Sequence, residues 1–140
     1  MADPHAWLAG LAARDGLAMS LGIEYVAGGA GHATVRLRVH RAHLNFHGTC
    51  HGGTIFALAD TAFGLASNSH GVAAAAIDAH LSFNTAVRDG ELLCATARER
   101  SRGHRLATYG VDVTREDGRV VSVFTGTVFI SGEPLADPAG

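Results

Sequence analysis

Between Arg41 and Arg88 the chain runs 46 residues without a lysine or arginine, and the only carboxylates in that stretch are Asp60 and Asp78. An unpaired carboxylate taken out of water is costly and holds its proton to higher pH. Asp60 has Phe56 and Ala57 one helical turn before it and Phe63 and Gly64 one turn after it, so only Thr61 offers a local donor. Three readings of it stand open. It pairs through tertiary contact with a distant arginine or faces a subunit interface; it is a general base or nucleophile at the end of a narrow pocket; or it lies in solvent on the weak face of its helix. Asp78 alternates with Ile77 and Ala79 and is expected to point off a sheet.

Upstream, His40, His43, His47 and His51 accompany Cys50. Imidazoles and a thiolate are metal ligands, but Asn45 and Gly48 mark an irregular loop and no HExxH spacing occurs, so solvated histidines are the plainer expectation. Cys50 beside His51 suggests an activated thiol near a helix N-terminus, although adjacent residues rarely face each other. Gly52 and Gly53 speak more clearly. Without side chains in the way, the free amides at the start of a helix can reach a ligand oxygen, where the helix dipole favours developing negative charge, and an oxyanion hole is built this way. The alternative is tight packing of that helix end against a sheet.

These groups need positioning elements. The segment His51 to Ser67 carries Ile55, Phe56, Leu58, Ala59, Ala62, Phe63, Leu65 and Ala66 nearly all round the helical wheel, so it is expected to be an interior helix with a sheet curled about it. Asp3 and Pro4 start an N-terminal helix with an apolar stripe at Trp7, Leu8, Leu11 and Ala12, after which Gly16 and Gly22 punctuate the chain. Alternation over 23–27 and 34–39, joined by Gly28, Gly29 and Gly31, predicts a hairpin. Four more alternating segments, about 72–84, 91–100, 105–114 and 119–130, are divided by Arg88-Asp89-Gly90, Ser101-Arg102-Gly103 and Glu116-Asp117-Gly118, and short connections predict antiparallel neighbours. Residues 133–140 read as a loose tail.

Composition narrows the chemistry. The 140 residues suffice for one compact domain. With 47% hydrophobic and 17% charged residues and a net charge of -2, neither disorder nor a broad electrostatic grip on nucleic acid is expected. All eleven basic side chains are arginine, so a lysine Schiff base is excluded. Cys50 and Cys94 form neither a disulfide framework nor a zinc pattern. No secretory signal or membrane-length apolar run is apparent, so a cytoplasmic protein without membrane association is expected.

Asn45, Gly48, His51, Gly52, Gly53, Leu58, Asp60 and Ala62 together match NxxGxxHGGxxxxLxDxA, and the chain resembles the hotdog-fold thioesterases, in particular the phenylacetate-degradation type. The resemblance implies an α+β hotdog fold, a curled antiparallel sheet around one long central helix, over residues 1–140. It implies hydrolysis of acyl-CoA thioesters, aromatic ones such as hydroxylated phenylacetyl-CoA, with no metal and no cofactor. By resemblance Asp60 is the catalytic carboxylate, the Gly52 amide polarises the thioester carbonyl, Asn45 positions water or thioester, and His51 lies beside them. Gly53 and Phe63 are expected to meet the substrate, and Phe46 and Phe56 could line an acyl pocket or belong to the core. Other readings on this fold are a medium-chain acyl-CoA thioesterase, a dehydratase, and a non-catalytic acyl-CoA sensor.

Eight residues along one helix separate Gly52 from Asp60 by about 12 Å, too far for one carbonyl to meet both. Two antiparallel central helices across a two-fold axis would bring Gly52 of one subunit to Asp60 of the other. A homodimer is therefore expected, and a homotetramer by resemblance. After Phe83, where many relatives carry Leu-Arg-Pro, this chain has Asn84-Thr85-Ala86. Arg100, Arg102, His104 and Arg105 around the 101–103 turn are the expected replacements for meeting the CoA phosphates; a solvated hairpin tip is the alternative.

Overall fold

A computed structural model describes residues 3–136. Its order is α1 (Pro4–Ala13), α2 (Gly16–Leu21), β1 (Glu24–Gly29), β2 (His32–Arg38), a short 3-10 turn (Arg41–His43), α3 (Gly52–Ser67), β3 (Val72–Phe83), β4 (Leu92–Arg102), β5 (Leu106–Thr114) and β6 (Val120–Pro134). The strands form one antiparallel sheet in the order β1-β2-β4-β5-β6-β3, and α3 packs against five of them, β2 to β6. This is the curled sheet around a central helix that the sequence predicts. Alternation places Val35, Leu37, Leu93, Ala95, Ala97, Tyr109, Val111, Val113 and Phe124 on the inner face, all buried against α3.

Asp3 caps α1 through the His5 amide, with Pro4 at the first helical position. The stretch between Gly16 and Gly22, expected only as punctuation, is a helix: Asp15 accepts from the Ala18 amide at 3.0 Å, and Gly22 closes it in the left-handed conformation at φ 84°. One strand pairing also differs from expectation. β3 does not lie beside β4 despite the glycine turn between them; residues 84–91 carry the chain round α3, and β3 pairs with β6 at the far edge. β6 continues beyond the expected end of the last strand, with Pro134 opposite Val72 and the Leu135 amide bonded to the Gly71 carbonyl. Of the expected tail, residues 137–140 lie outside the described residues.

α3 is not enclosed on every side. Gly53, Phe56 and Asp60 are exposed, and Gly52, Ala57, Thr61 and Gly64 are partly so, which leaves one stripe of the helix uncovered within a single chain. β3 is a 12-residue edge strand whose middle, 75–80, is exposed on both faces, with Ile77 61% accessible. Asp78 lies in this exposed middle. No described helix is long and apolar enough to cross a membrane.

Candidate active site

Five amides at the start of α3 need acceptors. His51 donates its amide to the His43 carbonyl, and the amides of Thr54 and Ile55 go to the His51 carbonyl. Gly53 donates to the His51 ring Nδ1 at 2.8 Å. Of these five, Gly52 alone has no acceptor among the described residues. Its amide opens on a cleft of about 270 Å³ lined by Asn45, Cys50, Ile55 and Phe83. A Cβ on Gly52 would stand 3.0 and 3.1 Å from the Phe83 ring, so glycine keeps this approach clear.

The neighbouring side chains hold that opening in shape. Asn45 Oδ1 accepts from the amides of His47 and Thr49 at 2.9 and 3.2 Å and from the Thr49 hydroxyl at 3.3 Å. Its amide nitrogen is thereby the group left to face the cleft. His51 caps α3; because Nδ1 accepts, the neutral ring carries its proton on Nε2 and can donate outward. His43 is buried, with Nδ1 accepting from the His40 amide and Nε2 donating to the Leu21 carbonyl at 2.7 Å. His40, His43 and His51 thus serve as caps and struts while His47 is exposed beside Phe46, and no group of three metal-ligating side chains occurs among the described residues. Burial pushes the Cys50 thiol up to about 11, which removes the thiolate an activated nucleophile needs.

Asp60 lies in a second cleft, of about 350 Å³, with Leu11, Asp15, Leu17, Gly64, Leu65 and Leu135 among its walls. None of the ion pairs among the described residues includes it. Its carboxyl is held above the ordinary carboxylate value by burial first and by the negative charge of Asp15 second. Within one chain, then, Asn45 and Gly52 share one cleft and Asp60 occupies another further along the same uncovered stripe.

Several expected contacts are not as the sequence suggests. The Gly53 amide is spent on His51 and is not free for a ligand. Phe63 is 1% accessible and packs on Tyr109 and Phe124, so it is core rather than pocket wall. Phe56 touches Phe124 on the uncovered stripe, and Phe46 is 94% accessible beside Asn45. The cations of the β4–β5 hairpin do not converge. Arg100 lines, with Arg98 and Asp112, a depression on the sheet face turned away from α3. Arg102 reaches back to Glu99 at 3.8 Å, Arg105 donates to the carbonyls of Ile130 and Ser131, and His104 is exposed. A bulge at 99–101 turns alternate side chains to different faces.

Two polar features escaped the sequence reading. Glu99 Oε1 accepts from Tyr109 Oη at 2.7 Å and His70 Nε2 at 2.9 Å, tying the end of α3 to the sheet. Burial alone would raise its pKa, but the Tyr109 and His70 hydrogen bonds and the charge of Arg102 hold it below the ordinary value. Asp15 is the other: it lies 45 residues from Asp60 in sequence, in a stretch where only glycine punctuation was expected.

Comparison with known proteins follows the same lines. A profile of the thioesterase superfamily matches residues 47–122. A curated relative from Archaeoglobus fulgidus is 43% identical over 99 residues, 71% of this chain, and the match spans 64% of that protein's length, under two thirds. The acyl-coenzyme A thioesterase PaaI of Escherichia coli is 38% identical over 112 residues, 80% of each chain. The solved E. coli PaaI structure, from the phenylacetic acid degradation operon, superposes with a TM-score of 0.87 at 34% identity over 90% of this chain and 91% of its own. A thioesterase-type protein of Streptococcus pneumoniae solved with coenzyme A gives 0.77 at 27% identity over 81% and 88%. With its hotdog architecture, its unpaired helix-start amide and its cation-free carboxylate, the chain belongs to the thioesterase superfamily.

Proposed function

We propose that this protein hydrolyses acyl-CoA thioesters at sites shared between two copies of the chain. The observation that carries the reading is the Gly52 amide, the one donor at the start of α3 without an acceptor among the described residues, set where a side chain would strike Phe83. Such a donor stabilises the oxyanion that forms when a thioester carbonyl becomes tetrahedral. Where a water deprotonated by Asp60 attacks, collapse of the intermediate breaks the C–S bond, expels the CoA thiolate and releases the acid directly; where Asp60 itself attacks, the same collapse leaves an acyl-aspartyl anhydride, which water then hydrolyses to free the acid and Asp60. Either route uses the ionised form of Asp60, and none of the ion pairs among the described residues ties that carboxylate to a cation.

The separation of the two clefts supports a composite site. Gly52 of one subunit and Asp60 of its partner meet if two α3 helices lie antiparallel along their uncovered stripes. That arrangement also covers Phe56 and Phe46 and lets the exposed β3 edges adjoin, as an unprotected 12-residue edge demands. Aromatic acyl groups such as phenylacetyl, with or without ring hydroxyls, suit the leucine-walled Asp60 cleft, and the E. coli neighbour comes from a phenylacetic acid operon. Coenzyme A bound to the S. pneumoniae neighbour supports the thiol half of the substrate. Following thiol release from aromatic and medium-chain acyl-CoA thioesters tests the reading. Turnover led by the aromatic thioesters is expected, and binding without turnover would make the protein a sensor instead.

A further inference from the structure

Resting on the hydrolase reading, the wall opposite Asp60 goes further. The cleft that holds Asp60 is bounded by Leu11, Leu17, Leu65 and Leu135, with Gly64 giving it depth along α3. Its other polar groups are largely committed. The Thr61 hydroxyl donates to the Ala57 carbonyl at 2.7 Å, and the Asn68 amide bonds to the Gly64 and Ala74 carbonyls and the Ala74 amide. Asp15 differs. One carboxylate oxygen is fixed by the Ala18 amide at 3.0 Å as the cap of α2, which locks the side chain in place. The second oxygen has no partner among the described residues, and no arginine lines the cleft to neutralise it.

We infer that Asp15 is a specificity-determining residue that selects the acyl group by charge: it accepts a hydrogen bond from an acyl hydroxyl and repels acyl groups ending in a carboxylate. The physics is one-sided. A carboxylate tail entering this cleft would meet two carboxylates between leucine walls and no compensating cation, whereas a neutral donor gains a charge-assisted hydrogen bond. An aliphatic tail without a donor would leave Asp15 to whatever water remains. The preferred class is therefore uncharged, bulky and hydroxyl-bearing.

The test uses non-hydrolysable CoA thioethers carrying 2-phenylethyl, 2-(4-hydroxyphenyl)ethyl or 3-carboxypropyl groups. Calorimetry would give their dissociation constants for the unaltered protein and for Asp15→Asn and Asp15→Ser, both of which keep an α2 cap. The unaltered protein is expected to bind the hydroxyphenyl analogue about tenfold or more tighter than the phenyl one and to bind the carboxylate analogue weakest. Both substitutions should shrink the hydroxyl preference about tenfold and relax the rejection of the carboxylate. Equal ratios in all three proteins, or tight carboxylate binding by the unaltered one, would overturn the inference. Thioester turnover is scored separately: Asp15-dependent binding ratios without turnover would remove the hydrolase reading and leave the selectivity standing.

Discussion

Replacing Gly52 by proline deletes the single amide on which the oxyanion argument depends, and the local geometry tolerates it. Gly52 is the first residue of α3, where proline is well accommodated. His51 before it has ψ 134°, the extended conformation that a residue preceding proline requires. The amide to be lost donates to no described group, so no internal hydrogen bond goes with it. The new Cβ would press on Phe83 at 3.0 to 3.1 Å, but that ring is 59% accessible and can swing aside. Gly52→Ala imposes the same Cβ while keeping the N–H and is the matched control. The two variants should melt within about 1 kcal/mol of each other. Removing one oxyanion donor costs about 10² to 10³ in kcat, or roughly 2.7–4 kcal/mol, so thiol release by the proline variant should fall that far below the alanine variant. A folded proline variant as active as the alanine one would refute the role of this amide.

Further outcomes follow at two other positions, Asp60 and Gly126. Asp60→Asn should lower turnover by about 10²- to 10⁴-fold, and the unaltered protein's rate should fall, as pH drops, through a pKa raised above the ordinary aspartate value by burial and the charge of Asp15. Because the folded-state pKa is the raised one, ionised Asp60 weakens the fold as pH rises through it. Asp60→Asn should therefore melt higher at neutral pH, by at most about 1 kcal/mol for this half-exposed group, or about 3 °C, with the gap closing below the unfolded carboxylate pKa. In the core, a Cβ at position 126 would lie 2.7 Å from Phe63 and 2.9 Å from Phe124. Gly126→Ala should cost about 1–3 kcal/mol in urea denaturation.

How much of this was legible depended on whether a signal was local. Asp60 stood out because cations are absent for 46 residues around it, and Gly52 because two glycines open an apolar helix; the structure leaves both unpaired among the described residues. Gly53 looked equivalent to Gly52, yet the His51 ring takes its amide, a choice fixed by one rotamer and not by composition. The hairpin arginines looked convergent because sequence spacing does not show a β-bulge, and the bulge at 99–101 sends them to different faces. Phe63 and Phe56 share a helix and a residue type; only the curl of the sheet decides that the first is enclosed and the second is not. Asp15 was invisible as a site residue because α2 must fold back over α3 before it meets Asp60.

The composite site is tested most directly by mixing two inactive proteins. Asp60→Asn and Gly52→Pro subunits, denatured together and refolded at equal amounts, should form hybrid dimers in half of the population. Each hybrid would hold one doubly defective site and one site with both an intact Asp60 and an intact Gly52, and about a quarter of the unmixed wild-type activity should return. If both groups of a working site came from the same chain, no intact site could form in any pairing. Activity no greater than the sum of the two variants alone, with hybrids verified by mass, would contradict the shared site.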